Sequence, residues 1–482
     1  MNRYKKANEG IHAPEEVKER AARPARRSRA GWIGGVAAVL AAAILAGVVF
    51  WPGGSPLTQT ASAAIAEAKY PEMPPYPDES QYFDPATGEC DDKGLSEAWD
   101  AWWTELRARR DLAPAQDALK DFYAATIPEF LGNSGGENLV YSPLNVYLAL
   151  AMLAETTGGN SREQILDLLG VSDVGALRDL ANRLWNSAYR DDGAVTTILA
   201  SSLWLNENVP FTQETMDRLA DTYYASSYRG EMGSGEFNEA LRDWLNQQTG
   251  GLLEEYVKDV AMDPNTVLAL ATTLYLKVKW KNEFWEERST EALFHGAAGD
   301  EAVTFMNQSA EDIYYWADRF SACGRRFEKG GAMWFLLPDE GVSVNDLLAD
   351  SQTIDFLTST YSWENQKYLI VNFSMPKFDV SSRIDLTGRL KNLGVTDVFS
   401  AESADFSPMT GDLDVILSEA THAARVKVDE KGVEAAAFTV IMEAGAEMPP
   451  EEEIDFVLDR PFLFAITGEN DQLLFAGVVN QI

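Results

Sequence analysis

The chain has 482 residues, and 46% of them are apolar, so it can bury a large hydrophobic core. Its 75 acidic residues outnumber its 40 basic residues and give a net charge of −35. Because nucleic acids and anionic membrane surfaces repel a strongly acidic protein, the composition argues against both as partners and favours a basic partner.

Charge is distributed unevenly between the N-terminus and the rest of the chain. Residues 1–29 hold nine basic and four acidic residues, a net charge of +5 against −40 for the remainder. Residues 30–51 follow without a single charge and are long enough to cross a bilayer as a helix. Because basic flanks stay inside, the pattern predicts a cytoplasmic tail at 1–29, a single-pass membrane anchor at 30–51 and an exported remainder. A cleaved signal segment, with a small-residue site at 61–63, is the alternative and would give a secreted protein.

Residues 52–112 are predicted to form an extracytoplasmic linker that contains one short helix. Proline, glycine and acidic residues dominate 52–94, which favours an extended spacer. Residues 95–110 then have helical spacing, with three tryptophans on one side: Trp99, Trp102 and Trp103. This aromatic side could dock on a partner, but packing on its own domain is favoured because single apolar helix faces usually bury locally.

From residue 113 onward, helices and strands are mixed without a repeating strand–helix unit. The predicted helices lie at 115–131, 143–153, around 237–245 and at 385–393. The predicted strands lie at 138–141, 267–276, 333–337, 368–375 and 472–479. The mixture predicts a single α+β domain over residues 113–482.

Two incompatible local patterns meet in residues 417–450, near the C-terminus. Apolar and polar residues alternate over 417–429, which is typical of a half-buried strand, and Gly432 ends that pattern. The following residues combine branched side chains with a run of alanines, and they end in the glutamates and prolines of an exposed loop. Small side chains suit a segment that slips between packed strands, where each large side chain would cost about 1–3 kcal/mol. The pattern therefore predicts a metastable loop that can add a strand to a sheet.

The same stretch carries a family resemblance. Residues 430–437, EKGVEAAA, resemble the hinge of the inhibitory serpins, and further stretches occur in the family's order. Those stretches are 138–143, 279–284, 337–341, 376–378, 404–407 and 460–464. Together they cover residues 113–482. The resemblance implies the serpin fold, with three β-sheets, about eight or nine helices and an exposed reactive loop near the C-terminus.

The resemblance also implies a function, that of a serine protease inhibitor which is a suicide substrate rather than an enzyme. It would act as a monomer without a cofactor. The hinge would comprise the first residues of the loop: Glu430, Gly432, Val433, Glu434, Ala435, Ala436 and Ala437. The family's spacing puts the cleaved bond near Ala446 and Glu447, with Ala444 as a further candidate. The alanines would suit an elastase- or subtilisin-like protease, whereas Glu447 would suit a glutamate-specific one. After cleavage, the freed loop would insert into the central sheet and trap the acyl-enzyme.

Two further sets of residues match serpin positions that control the central sheet. A buried polar cluster, called the shutter, would lie under the sheet: Ser142, Asn145, Thr272 and His422. Compared with the family, Asn145 replaces a serine and Thr272 replaces an asparagine, an exchange that keeps the number of hydrogen-bonding groups. At the top of the sheet, called the breach, Lys377 would pair with Glu430 beside Trp280.

Some residues depart from the family or favour other readings. Phe438 interrupts the small-residue run and Val278 replaces a usual glycine, so a non-inhibitory serpin acting as a surface binding protein remains an alternative. Ser134, in a glycine-rich stretch, could belong to a surface serine hydrolase, but a nucleophile elbow needs a preceding strand and here a helix precedes. Cys90 and Cys323 could pair as a disulfide in an exported protein, but free or buried thiols are favoured, and no metal-site spacing is found.

Overall fold

The computed structural model describes residues 63–433, except 86, 88, 116, 360–361 and 412–414, together with residues 450 and 452–482. These residues belong to one compact unit. The predicted tail at 1–29, the predicted anchor at 30–51 and loop residues 434–449 lie outside the described part. Within the described part, no helix is both long and apolar enough to span a membrane.

Ten α-helices are present among the described residues, and nine of them follow residue 113. They are α1 (Asp92–Arg110), α2 (Lys120–Leu131), α3 (Pro143–Thr156), α4 (Gly159–Leu169), α5 (Val174–Ala188), α6 (Gln213–Thr222), α7 (Gly235–Gln248), α8 (Val344–Leu348), α9 (Ser351–Ser359) and α10 (Leu386–Asn392).

The first of two hydrogen-bonded sheets has the order β1-β5-β4-β6-β14-β13-β12, and β3 pairs with β4. Its strands are β1 (Ala63–Ala66), β3 (Arg190–Asp191), β4 (Thr196–Asn206), β5 (Ala225–Gly230), β6 (Leu268–Lys279), β12 (Phe378–Asp385), β13 (Leu417–Val428) and β14 (Gly432–Val433). The C-terminal part of the chain thus completes a sheet begun by the N-terminal part, with β14 between β6 and β13.

The second sheet has the order β15-β11-β8-β9-β10-β16-β17-β2, and β7 pairs with β8. Its strands are β2 (Leu139–Tyr141), β7 (Thr290–Gly296), β8 (Gly299–Trp316), β9 (Phe320–Arg326), β10 (Ala332–Pro338), β11 (Gln366–Pro376), β15 (Glu453–Val457), β16 (Phe462–Thr467) and β17 (Leu473–Val479).

The number of sheets differs from the predicted three. The 18-residue strand β8 pairs with β7 and β11 along most of its length and with β9 through its last residues, Tyr314 to Trp316. Because one continuous strand links the two sets of partners, the described strands form two sheets instead of three.

Helix α3 lies at the centre of the core. Every residue of α3 is buried, and the helix contacts β4 and β6 of the first sheet and β17 of the second. A helix that is apolar on all sides is typical of such a position. Its start is fixed by Ser142, whose hydroxyl accepts from the Asn145 amide, and by Pro143 in the first turn. This start carries two of the predicted shutter residues under the first sheet.

The described part of the predicted spacer packs on the domain, in contrast to the expected extended linker. Strand β1 pairs with β5, Tyr70 contacts the ring of Trp185, and Tyr76 contacts the ring of Trp102. The composition argument weighed the prolines and acidic residues of this stretch and neglected the area that its tyrosines can bury. Helix α1 also packs on its own domain through buried Trp102 and Leu106.

Candidate functional site

The first sheet is only partly closed between β6 and β13. These two strands pair directly and in parallel from Leu417 opposite Leu268 to Ala423 opposite Thr273. Beyond that point β14 lies between them and runs antiparallel to both. The strands are therefore joined at one end and separated at the other by the first residues of an incoming segment.

Val433 occupies the entry to this gap. It pairs with Val428 on one side and Val278 on the other, and all three side chains are about 2% exposed. The neighbouring Gly432 has no room for a side chain, since an added Cβ would lie 2.2 Å from the Val278 carbonyl oxygen and 2.8 Å from the Lys279 Cα. Two of the predicted hinge residues are thus already packed as a strand.

A tight turn built on Asp429 reverses the chain from β13 into β14. One Asp429 carboxylate oxygen accepts from the backbone amides of Lys431 (2.8 Å) and Gly432 (3.2 Å). The Asp429 amide in turn donates to the Gly432 carbonyl. The sequence reasoning missed this residue, although an aspartate before a glycine is a recognised turn signal.

Trp280 joins this turn to the rest of the domain. Its indole Nε1 donates to the Asp429 carbonyl at 2.9 Å, and its backbone amide donates to the Lys431 carbonyl at 3.0 Å. Its ring is 2% exposed, stacks on Phe327 at 5.2 Å and meets Phe284 edge-on at 6.2 Å. The predicted breach residue therefore contacts the root of the loop directly.

Glu430 and Lys377 form the ion pair that the resemblance implies, with Nζ and Oε1 2.5 Å apart. The Glu430 side chain is only 8% exposed and also accepts from the Ser289 hydroxyl, whereas Lys377 is 42% exposed. Burial alone would raise the pKa of Glu430, but the hydrogen bond and charge of Lys377 outweigh it and hold that pKa below its usual range. The carboxylate is therefore charged and held at the loop's root.

His422 is fully buried in the part of the sheet where β13 and β6 still pair directly, opposite Thr272 and one residue before the gap begins. Its Nε2 accepts from the backbone amide of Ser142 at 2.9 Å, so the neutral ring carries its proton on Nδ1. Burial lowers the pKa of His422 to about 3, and the backbone of Thr272, which favours the charged form, offsets only part of this. The histidine is neutral at physiological pH.

Asn145 supplies the second half of the same cluster. Its amide Nδ2 donates to the Thr272 hydroxyl at 2.5 Å and to the Thr273 carbonyl at 2.6 Å. The Thr272 hydroxyl donates onward to the Ala200 carbonyl at 3.2 Å, so it links β6 to β4. Asparagine at 145 and threonine at 272, the two residues that differ from the family, thus form a direct hydrogen bond between helix α3 and strand β6.

The return of the loop is marked by the start of β15. The Ile370 amide donates to the Glu452 carbonyl, and Lys367 pairs with the Glu452 carboxylate at 2.6 Å. The candidate residues Ala444, Ala446 and Glu447 lie between β14 and β15 and are outside the described residues, as are Glu434, Ala435, Ala436 and Ala437.

A comparison with known protein families shows which family the chain belongs to. A sequence model of the family described as serpin (serine protease inhibitor) matches residues 117–482, well over half of the chain. The chain is a serpin.

Individual relatives agree with this assignment. Serpin-ZX of Arabidopsis thaliana is 29% identical over 364 residues, which cover 72% of this serpin and 92% of the plant protein. The human leukocyte elastase inhibitor is 28% identical over 355 residues, which cover 72% of this serpin and 93% of the inhibitor. The native structure of tengpin, a thermophilic serpin, superposes with a TM-score of 0.68 at 25% identity and covers 76% of this serpin and 94% of tengpin. The predicted α+β class and serpin fold are therefore confirmed.

The contacts of the two described histidines, His295 and His422, do not assemble the alternative hydrolase site. The Ser134 hydroxyl accepts from the Asn480 side chain at 3.0 Å. His295 pairs with Asp300 at 2.8 Å on the surface, and His422 is bonded to Ser142 in the core. Serpins are generally inhibitors and not catalysts. Cys90 is exposed and Cys323 is buried, and both are free thiols.

Proposed function

We propose that this serpin inhibits serine proteases as a suicide substrate. The observation that carries the proposal is the position of β14, which lies antiparallel between β6 and β13 as the first part of an inserting strand would. The family description, serine protease inhibitor, supports the same function.

The reaction begins like an ordinary cleavage. The protease's serine oxygen attacks the carbonyl carbon of the scissile bond, an acyl ester forms, and the nitrogen of the next residue takes a proton and leaves. The freed N-terminal strand of the loop then continues from Val433 into the gap and carries the attached enzyme with it. Displacement of the catalytic groups by about an ångström is enough to stop hydrolysis of the ester.

The observed register specifies how the rest of the loop would enter. Val433 pairs with Val278 and Val428, so an antiparallel continuation brings Glu434 opposite Lys277 and Lys427. The charges are complementary at this step, because a carboxylate meets two ammonium groups across the sheet. Electrostatics therefore favour the first step of insertion beyond the residues already seen.

The same register accounts for Phe438, the residue that favours the non-inhibitory alternative. Successive side chains of a strand point to opposite faces, so Phe438 would lie on the face opposite to Val433, across from Thr273 and Ala423. The residues that share the inner face with Val433 are small or branched: Ala435, Ala437, Thr439 and Ile441. The inner face can therefore accept the loop without an aromatic ring, whereas Phe438 would have to fit on the opposite face, where Thr273 and Ala423 are also buried.

The target follows from the bond that is cut. Cleavage after Ala444 or Ala446 would require a protease with a small pocket, such as an elastase- or subtilisin-like enzyme. Cleavage after Glu447 would require a glutamate-specific enzyme. We favour the first class, and the relative named leukocyte elastase inhibitor supports it.

The proposed location is outside the cytoplasm. Serpins are typically extracellular or secreted, and the charge step across residues 30–51 supports a single-pass anchor, with secretion after cleavage of this segment as the alternative. The proposed protein is a monomer whose partners are its target protease and, through residues 30–51, a membrane.

The test is incubation of the full chain with an elastase-like serine protease, followed by denaturing electrophoresis. We expect a covalent complex that survives denaturation. The variant Val433→Arg would bring a charge into a site that is 2% exposed, which is strongly unfavourable, so it should be cut and released as a substrate. The control Val433→Thr is similar in volume and uncharged, and it should still trap the enzyme. A parent that is cut and released without forming complex would favour the binding-protein alternative.

A further inference from the structure

The segment that precedes the serpin domain is attached to the edge of the sheet that must open. Strand β1 pairs antiparallel with β5, with Ala64 opposite Tyr228, and the Ala68 amide donates to the Ser226 hydroxyl at 3.1 Å. In the sheet order, β1, β5, β4 and β6 all lie on the same side of the gap. The segment therefore holds one half of the divided sheet.

A second attachment buries Tyr70 against the domain. Its ring lies 5.3 Å from Trp185 and 5.7 Å from Tyr189, and its hydroxyl donates to Gln248 at 3.2 Å. Trp185 itself stacks on Tyr189 and Tyr224. This aromatic cluster ties the segment to α5 and α7, which lie outside the sheet.

The third attachment centres on Asp192, which is 3% exposed and follows β3 in the first sheet. The Tyr76 amide donates to its carbonyl at 2.7 Å, and the Trp102 indole donates to its carboxylate at 2.9 Å. Arg190 donates to the same carboxylate at 2.8 Å. Tyr76 and Trp102 also pack edge to face at 5.3 Å, so the segment and α1 hold Asp192 together.

These same residues reach the second sheet. Lys329, in the turn between β9 and β10, places its ammonium 4.6 Å from the Tyr76 ring centre. Arg190 donates to the Lys329 carbonyl at 2.7 Å and to the Glu469 carboxylate at 3.1 Å, in the turn between β16 and β17. The contacts of Tyr76 and Arg190 therefore span the two sheets.

Helix α1 covers the seam between the sheets behind the entry point of the loop. A small cavity of about 40 Å³ lies there. Its lining includes Leu106 and Arg109 from α1, Leu276 and Val278 from β6, and Phe327 from the second sheet. Val278 is the residue that pairs with Val433, so the helix lies directly behind the strand that must separate from β13.

We propose that residues 63–110 form an intramolecular brace that restrains opening of the first sheet. The brace holds the half of the sheet made of β5, β4 and β6 against α5 and the second sheet, so that widening the gap requires breaking its contacts. The surface formed by Tyr189, Trp185 and Asp192 is accordingly a docking face whose occupant is this serpin's own N-terminal segment. The inference goes beyond protease inhibition, since it concerns what controls the gap before any protease arrives.

The test compares the double variant Tyr76→Ala, Trp102→Ala with the control Phe83→Ala, which removes a ring of the same segment that is 49% exposed. The measurement is the rate of backbone amide hydrogen exchange in the full chain without protease. Amides of β13 monitor opening of the gap, and amides of β16 and β17 monitor the rest of the domain. We expect exchange in β13 to rise about tenfold or more in the double variant, with little change in β16 and β17 and none in the control.

Two results would overturn the brace. One is exchange in β13 that equals the control, and the other is a uniform rise across both sheets, which would show a merely stabilising segment. Should the double variant fail to fold, Trp102→Phe removes only the indole donor to Asp192 and should raise β13 exchange in the same direction by a smaller factor. Since the readout needs no protease, a chain that does not inhibit any enzyme can still confirm or refute the brace.

Discussion

Replacing Gly432 by alanine probes the packing of the hinge in its first inserted position. The added Cβ would lie 2.2 Å from the Val278 carbonyl oxygen and 2.8 Å from the Lys279 Cα, and both are backbone atoms that cannot rotate away. Either the strands move apart, which costs about 1–3 kcal/mol as other overpacked sites do, or β14 leaves the gap. Leaving exposes Val433, which costs about 1.5–3 kcal/mol of lost burial.

Both routes raise the free energy of the first step of insertion by a similar amount. Each 1.4 kcal/mol corresponds to about a tenfold decrease in the rate of insertion. We therefore expect Gly432→Ala to slow insertion roughly tenfold or more, so that more of the loop is cut and released for each protease trapped. The assay is the molar ratio of serpin consumed to protease inhibited. The control is Gly388→Ala in α10, where an added Cβ meets no atom within 4 Å. A ratio for Gly432→Ala equal to that of the control would refute the packing argument.

Three other predictions have defined outcomes. Lys377→Met leaves the buried Glu430 carboxylate without its counter-charge. Because the pKa of Glu430 is lowered in the folded protein, the ion pair stabilises the fold at neutral pH and this stabilisation is lost as pH falls. The variant should therefore lose less stability in acid than the parent, which acid unfolding followed by circular dichroism would measure. His422 has a pKa of about 3 in the folded protein and about 6.5 in the unfolded chain, so the unfolded chain binds more protons between these pH values. The free energy of unfolding should therefore decrease as pH is lowered through this range, by up to about 1.4 kcal/mol per pH unit. His422→Gln should flatten that slope in urea unfolding, while His295→Gln at the surface should not. If residues 30–51 anchor the protein, protease added to intact cells should digest the exported domain, and protection until lysis would contradict that topology.

Local patterns in the sequence specify the individual elements well. Alternation over 417–429 predicts β13, which is observed at Leu417–Val428. The helix expected from 143 to 153 is observed at Pro143–Thr156, with its proline in the first turn. The periodicity of apolar residues and the preference of certain residues for turns depend on only a few neighbouring positions. Such local features can therefore be recognised in a single sequence.

Relations between distant segments are less visible in the sequence. The pairing of Val433 with Val278 joins residues more than 150 positions apart and has no local pattern to predict it. Strand β8 pairs with β7 and β11 along most of its length and with β9 at its end, which joins these strands into one sheet, although its first four residues are exposed. The resemblance to the serpins supplied the shutter and breach residues, and only the structure shows that Asn145 and Thr272 bond to each other.

The docking of residues 63–110 illustrates a different limit. Proline and acidic residues in this stretch favour a solvated spacer, but the contacts that hold it come from a few tyrosines and tryptophans set far apart in the sequence. Tyr76 and Trp102 are 26 positions apart in the sequence, yet their rings pack together and both residues bond to Asp192. No periodicity connects them, so the composition of the stretch was a poor guide to its structure.

The central claim is that the loop inserts as a strand between β6 and β13 once it is cut. The most direct measurement is the melting temperature of the full chain before and after complete cleavage within residues 444–447 by a protease that it does not trap. Insertion adds main-chain hydrogen bonds on both sides of the new strand and buries the face that Val433 begins, so the cut form should melt well above the uncut form. Equal melting temperatures after complete cleavage would contradict insertion.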